Sequence, residues 1–130
     1  MRLAFRRHRD GHNHTEIVFS DGTWASSVPG RGVRRGGEGF PGEYDFIPLP
    51  VKLEQEIACR AWFLSHENDG YDWAAKLTGV DRENREYCTE ACILALNAAG
   101  LLADMVAHKT DSDGLYERAK GQFNKIESEE

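Results

Sequence analysis

The succession of hydrophobic patterns along this chain predicts an α+β fold, with strands first and helices second. Up to residue 50 the apolar residues alternate or fall in short β-branched and aromatic runs bounded by glycine and proline. Beyond residue 50 they recur at three- and four-residue spacing, the signature of helices. The stretch Ala91–Ala99 is apolar around most of a helical circumference, which predicts a helix at the centre of the domain.

Arg2–Arg7 reads as a first strand with Leu3 and Phe5 on one face. Asn13–Ser20 is the second, Asp21-Gly22 a hairpin turn, and Thr23–Val28 the returning strand. Pro29–Gly42 holds six glycines and two prolines, so an irregular loop is expected there. Tyr44–Leu49 resumes a strand pattern and completes an antiparallel meander.

Leu53, Ile57, Ala61 and Leu64 form the apolar stripe expected to face the core from the first helix. Tyr71–Leu77 is a shorter helical piece ending at Thr78-Gly79. Asp81 or Asn84 would cap the central helix, which stops at Gly100. Asp111–Asp113 would cap a last helix over about Gly114–Ile126, and 127–130 read as a frayed tail. Nothing divides the chain, so residues 1–130 are expected to fold as one domain, long enough to do so without a disulfide or metal.

Composition narrows the function classes. No run approaches 18 apolar residues, and Met1–His8 lacks an apolar h-region, so neither a transmembrane helix nor a secretory signal is expected and a cytoplasmic protein is. The net charge of −6 is unevenly spread: residues 1–35 carry +4 and the remainder −10. An arginine-bearing edge on an acidic domain follows, and it either is simply solvated or attracts an anionic partner. A pI of 5.4 without a recognised motif argues against nucleic acid.

Three cysteines, Cys59, Cys88 and Cys92, suit free thiols better than a disulfide framework. Cys88 stands near the start of the central helix, where backbone N–H groups favour a thiolate. Read alone, it is equally a core-filling thiol. His14 lies in the second strand, with His12 and Glu16 two residues to either side on the same predicted face. A thiol, an imidazole and an orienting carboxylate are the groups that acyl transfer needs. A competing reading has His12, His14, Cys88 and Cys92 binding zinc, although that spacing is not a common one. Asp111-Ser112-Asp113-Gly114 does not make an EF-hand, because Lys109 and Lys120 occupy two ligand positions.

Four segments in order, His14–Gly22, Gly32-Val33-Arg34, Tyr71-Asp72-Trp73 and Tyr87–Ala91, together resemble the permuted papain-like family. That family is the circularly permuted relative of the NlpC/P60 amidases and includes small bacterial and phage members of the YiiX/YebB type. Ser112–Tyr116 is similar to the Ser-Pro-x-x-Leu segment that follows in it. The resemblance spans about residues 3–118. It implies a permuted papain-like fold, Cys88 as nucleophile and His14 as general base. Many relatives carry a glutamate on the strand after the histidine strand, where this chain has Trp24-Ala25-Ser26-Ser27. Glu16 is expected to replace it, with Ser26 as the fallback.

The expectation is therefore a cysteine amidase or peptidase that needs no metal or cofactor. Its substrate would be a peptide, an amino-acid amide or a peptidoglycan-like molecule. Ser26, Arg34 and Tyr87 are candidate substrate contacts, although an exposed loop charge describes Arg34 and Arg35, and core packing describes Tyr87, equally simply. Trp62, Phe63 and Trp73 read as core, and Glu90 as structural. The alternative function is a non-enzymatic binding protein on the same scaffold, with or without the zinc site.

Overall fold

The computed structural model describes residues 1–28, 32–35, 41–67 and 87–124. Five strands, β1 (Arg2–His8), β2 (Gly11–Val18), β3 (Trp24–Val28), β4 (Gly32–Arg35) and β5 (Tyr44–Pro48), precede three helices, α1 (Leu53–His66), α2 (Tyr87–Ala98) and α3 (Ser112–Ala119). The architecture is α+β, as the patterning predicts. All strand pairs are antiparallel, in the order β4-β3-β2-β1-β5.

The hairpin between β2 and β3 closes at Asp21-Gly22. Gly22 takes a φ of 87°, a conformation that costs glycine little, and the Asp21 carboxylate accepts from the Thr23 amide and hydroxyl. Two features depart from the expected meander. Gly32–Arg35 forms an edge strand inside the glycine-rich stretch, because pairing with β3 from Val28↔Gly32 to Ala25↔Arg35 outweighs the poor strand propensity of glycine. In addition, β5 does not continue the meander but crosses to pair with β1, placing Ala4 between Glu16 and Phe46, and Arg6 between His14 and Tyr44.

The core lies between the sheet and the helices. Leu3, Phe5, Ile17 and Ile47 from the strands meet Ala91, Cys92, Ile93, Ala95 and Leu96 of α2, with Phe63, Leu115 and Phe123 around them. Burial of α2 on nearly every side agrees with its continuous apolar character. It ends in a tight turn at Gly100, φ 79°, where the Leu101 amide returns to the Leu96 carbonyl.

Helix α1 turns the opposite face inward from the one predicted. Leu53, Ile57 and Leu64 are 71%, 56% and 58% exposed, while Glu56, Cys59 and Phe63 are buried. Two contacts account for this orientation. The Glu56 carboxylate accepts from the Ser20 amide and hydroxyl at 2.7 and 2.8 Å, which makes its burial tolerable. The small Cys59 side chain lets α1 approach α2 closely enough to donate to the Ala95 carbonyl at 3.4 Å. Helix α3 also starts earlier than expected. Asp111 caps it by accepting from the Gly114 amide at 2.8 Å, and the chain widens into a π-helical turn at Lys120–Asn124. The expected helical piece Tyr71–Leu77, with Trp73, the capping positions Asp81 and Asn84, and the 127–130 tail lie outside the described residues.

Candidate active site

Strand β2 presents His14 and Glu16 from the same face, as alternation requires, and both are buried, at 4% and 0% exposure. The imidazole Nε2 lies 3.3 Å from Glu16 Oε2. That is long for a charge-assisted hydrogen bond, so the contact works chiefly as an ion pair. Cys88, 2% exposed, stands in the first turn of α2, its sulfur 3.9 Å from Thr89 Oγ1 and near enough to the His14 ring to influence its protonation. The structure thus gathers Cys88, His14 and Glu16 into one neighbourhood, two of them from a strand and one from a helix.

This meeting depends on an early end to the β2–β3 pairing. The two strands are in register only at Ile17↔Ala25 and Val18↔Trp24. Beyond that point the first turns of α2 sit against both strands. Ser26 donates to the Thr15 carbonyl at 2.6 Å and reaches the Cys88 carbonyl at 3.5 Å, and Cys92 Sγ donates to the same Thr15 carbonyl at 3.5 Å. A cluster of three buried hydroxyls fixes the helix from below. Thr89 Oγ1 lies 3.0 Å from Thr15 Oγ1 and 2.9 Å from Ser112 Oγ, and Thr15 donates to Ser112 at 3.2 Å. Through it, β2, α2 and the start of α3 are joined directly beneath the candidate nucleophile.

Burial opposes a charge on His14, but the neighbouring Cys88 sulfur and Glu16 carboxylate outweigh that penalty. The net effect pushes His14 up to about 9. The other thiols lack such a partner: desolvation pushes Cys59 up to about 12 and holds Cys92 well above the ordinary thiol range. An imidazole that stays protonated at neutral pH beside a sulfur atom is an arrangement able to support a thiolate.

Comparison of the chain with protein-family models, curated proteins and solved structures finds no match.

The remaining candidate residues are placed as follows. His12 does not share the face of His14. A bulge in β2 shifts the register between Arg6↔His14 and Arg7↔His12, leaving Asn13 as the extra residue. The His12 ring therefore sits on the opposite side, with Nε2 2.8 Å from Asp45, Nδ1 3.2 Å from Asp113, and Tyr116 packed on it at 4.3 Å. The four candidate zinc ligands are accordingly not assembled, and no other cluster able to hold a metal occurs among the described residues. Ser26 is fully buried with its hydroxyl engaged by Thr15, which removes it both as a substrate contact and as the fallback for the acid. Tyr87 is packed in the core, as are Phe63 and, in part, Trp62. Glu90 is buried in the first turn of α2. Arg34 pairs in backbone register with Ser26, while its side chain and that of Arg35 lie outside the described residues.

One neighbour of the site carries no local signal in the sequence. The Tyr44 hydroxyl, on β5, donates to Glu16 Oε2 at 3.1 Å. Only the crossing of β5 to the β1 edge brings these two residues together.

Proposed function

We propose that this protein is a thiol hydrolase of the permuted papain-like kind, cleaving an amide or ester bond through an acyl-enzyme on Cys88. The observation that carries this reading is the gathering of Cys88, His14 and Glu16, in which an imidazole favoured in its charged form neighbours a sulfur at the start of a buried helix.

In the proposed reaction the Cys88 sulfur, having given its proton to His14, attacks the carbonyl carbon. The Cys88 backbone N–H contributes to the oxyanion hole. His14 returns its proton to the leaving nitrogen as the C–N bond breaks, leaving a thioester. Water then attacks that thioester while His14 takes its proton, and cleavage of the C–S bond releases the acid. Glu16 keeps the imidazole oriented and compensates its charge. Peptides, amino-acid amides and peptidoglycan-like stem peptides are the substrate class that accompanies this reading, as is a bacterial or phage setting.

A second reading is supported by the 2% exposure of Cys88. A sulfur so enclosed also fits a binding protein that retains the scaffold without turnover.

Iodoacetamide at pH 6, with the modified residue located by mass spectrometry, separates the two. The hydrolase reading expects stoichiometric labelling of Cys88 that is lost in His14→Ala. Equal, slow labelling of Cys59, Cys88 and Cys92 would overturn it.

A further inference from the structure

A carboxylate without solvent must find its donors inside the protein, and Glu16 is such a carboxylate. On the same face of the sheet lies a group of aromatic rings drawn from strands on either side of β2. Trp24 comes from β3, and Tyr44 and Phe46 come from β5, yet the Trp24 and Tyr44 rings meet edge to face at 5.0 Å, with Trp24 and Phe46 at 5.9 Å. Strands β2 and β1 lie between them. Across that gap the β1 residue in register with both Glu16 and Phe46 is Ala4, whose methyl group leaves room for the rings to close over it. Tyr44 itself belongs to the next row, opposite Arg6, in line with His14. Leaning from that row, its hydroxyl reaches Glu16 Oε2 at 3.1 Å, the same oxygen that faces His14 Nε2.

We propose that Tyr44 is a positioning residue of this site: its hydroxyl holds the Glu16 carboxylate aimed at His14, and through it governs how readily Cys88 reacts. The inference rests on the Cys88–His14 reading above. Tyr44 touches neither sulfur nor substrate and acts only through Glu16. The charge on Glu16 is felt from α2 as well as from β2, since it contributes to raising Cys92. Among the described residues, the titratable groups shown near Glu16 and its partner His14 are Tyr44 on β5 and Cys88 and Cys92 on α2.

Tyr44→Phe keeps the ring and its packing while deleting the donor. The test is the rate of Cys88 alkylation by iodoacetamide from pH 5 to pH 10, in wild type, Tyr44→Phe, Glu16→Gln and the double variant. Loss of a hydrogen bond to a charged group predicts a rate at pH 6 lower by about tenfold in Tyr44→Phe. At pH 9.5, above the value of about 9 to which His14 is raised, the imidazolium no longer contributes and the rates should agree within about twofold. In the Glu16→Gln background the Tyr44→Phe change should have no further effect, because its target charge is already gone. Phe46→Leu, which alters the aromatic group without touching a hydrogen bond, should leave the shape of the profile unchanged and serves as the structural control. Superimposable wild-type and Tyr44→Phe profiles would overturn the role of Tyr44, as would an undiminished Tyr44→Phe effect in the Glu16→Gln background. A wild-type profile that His14→Ala does not alter would instead remove the dyad itself, a distinct failure.

Discussion

His14 Nε2 lies 3.3 Å from Glu16 Oε2 although only Thr15 separates the two residues in the chain. Alternation along β2 puts both on one face, where an imidazole and a carboxylate can pair across a single pleat. Thr15, pointing the other way, joins the hydroxyl cluster under α2. One three-residue segment thus supplies both the candidate base with its charge partner and an anchor for the helix that carries the sulfur.

The raised His14 makes stability depend on pH in a definite direction. An unfolded histidine titrates near 6.5 and the folded one near 9, so the folded state holds its proton more tightly. The stabilisation is fully present below about pH 6.5 and is lost as the pH rises through about 9; on the order of 3 kcal/mol is at stake. Urea midpoints of wild type and His14→Gln should therefore differ most near pH 6 and converge by pH 10. A difference that stays constant over that interval would contradict the ion-paired imidazolium.

The hydroxyl cluster offers a second check. Thr89→Val preserves shape but removes both the Thr15 and Ser112 contacts of a buried oxygen. We expect a loss of about 1–3 kcal/mol in urea unfolding, since the buried Thr15 and Ser112 hydroxyls each lose a partner. A variant within about 0.5 kcal/mol of wild type would show that the cluster does not fasten α2 to the sheet.

Helix α1 separates burial from hydrophobicity. Phe63 is fully buried and packs edge to face on Phe19 at 6.4 Å, so Phe63→Ala should cost about 3–5 kcal/mol. Ile57→Ser, on the exposed stripe, should cost less than about 0.5 kcal/mol. Equal losses in thermal or urea unfolding would mean that the outward stripe is covered by a partner in solution.

Much of the fold is legible in local pattern. The strands-then-helices order, the Asp21-Gly22 hairpin, the burial of α2 and its stop at Gly100 all follow from propensity, turn chemistry and periodicity, which act over a few residues. Pattern alone misplaces the inward face of α1, because the satisfied Glu56 and the close approach at Cys59 involve residues some 36 positions away. It also misplaces His12, since a one-residue bulge reverses the alternation on which a strand face is read.

The chain by itself determined which residue types were available for chemistry, and it placed His14 and Glu16 on one face through the two-residue period of a strand. Only the tertiary structure decided that α2 meets β2 where the β3 pairing ends, setting Cys88 against His14. It alone also decided that β5 crosses to β1, which carries Tyr44 to Glu16 and brings the aromatic rings together over Ala4. The reason is physical: side-chain direction along a strand is a local property of the backbone, whereas strand neighbours and the removal of water depend on contacts distant in sequence.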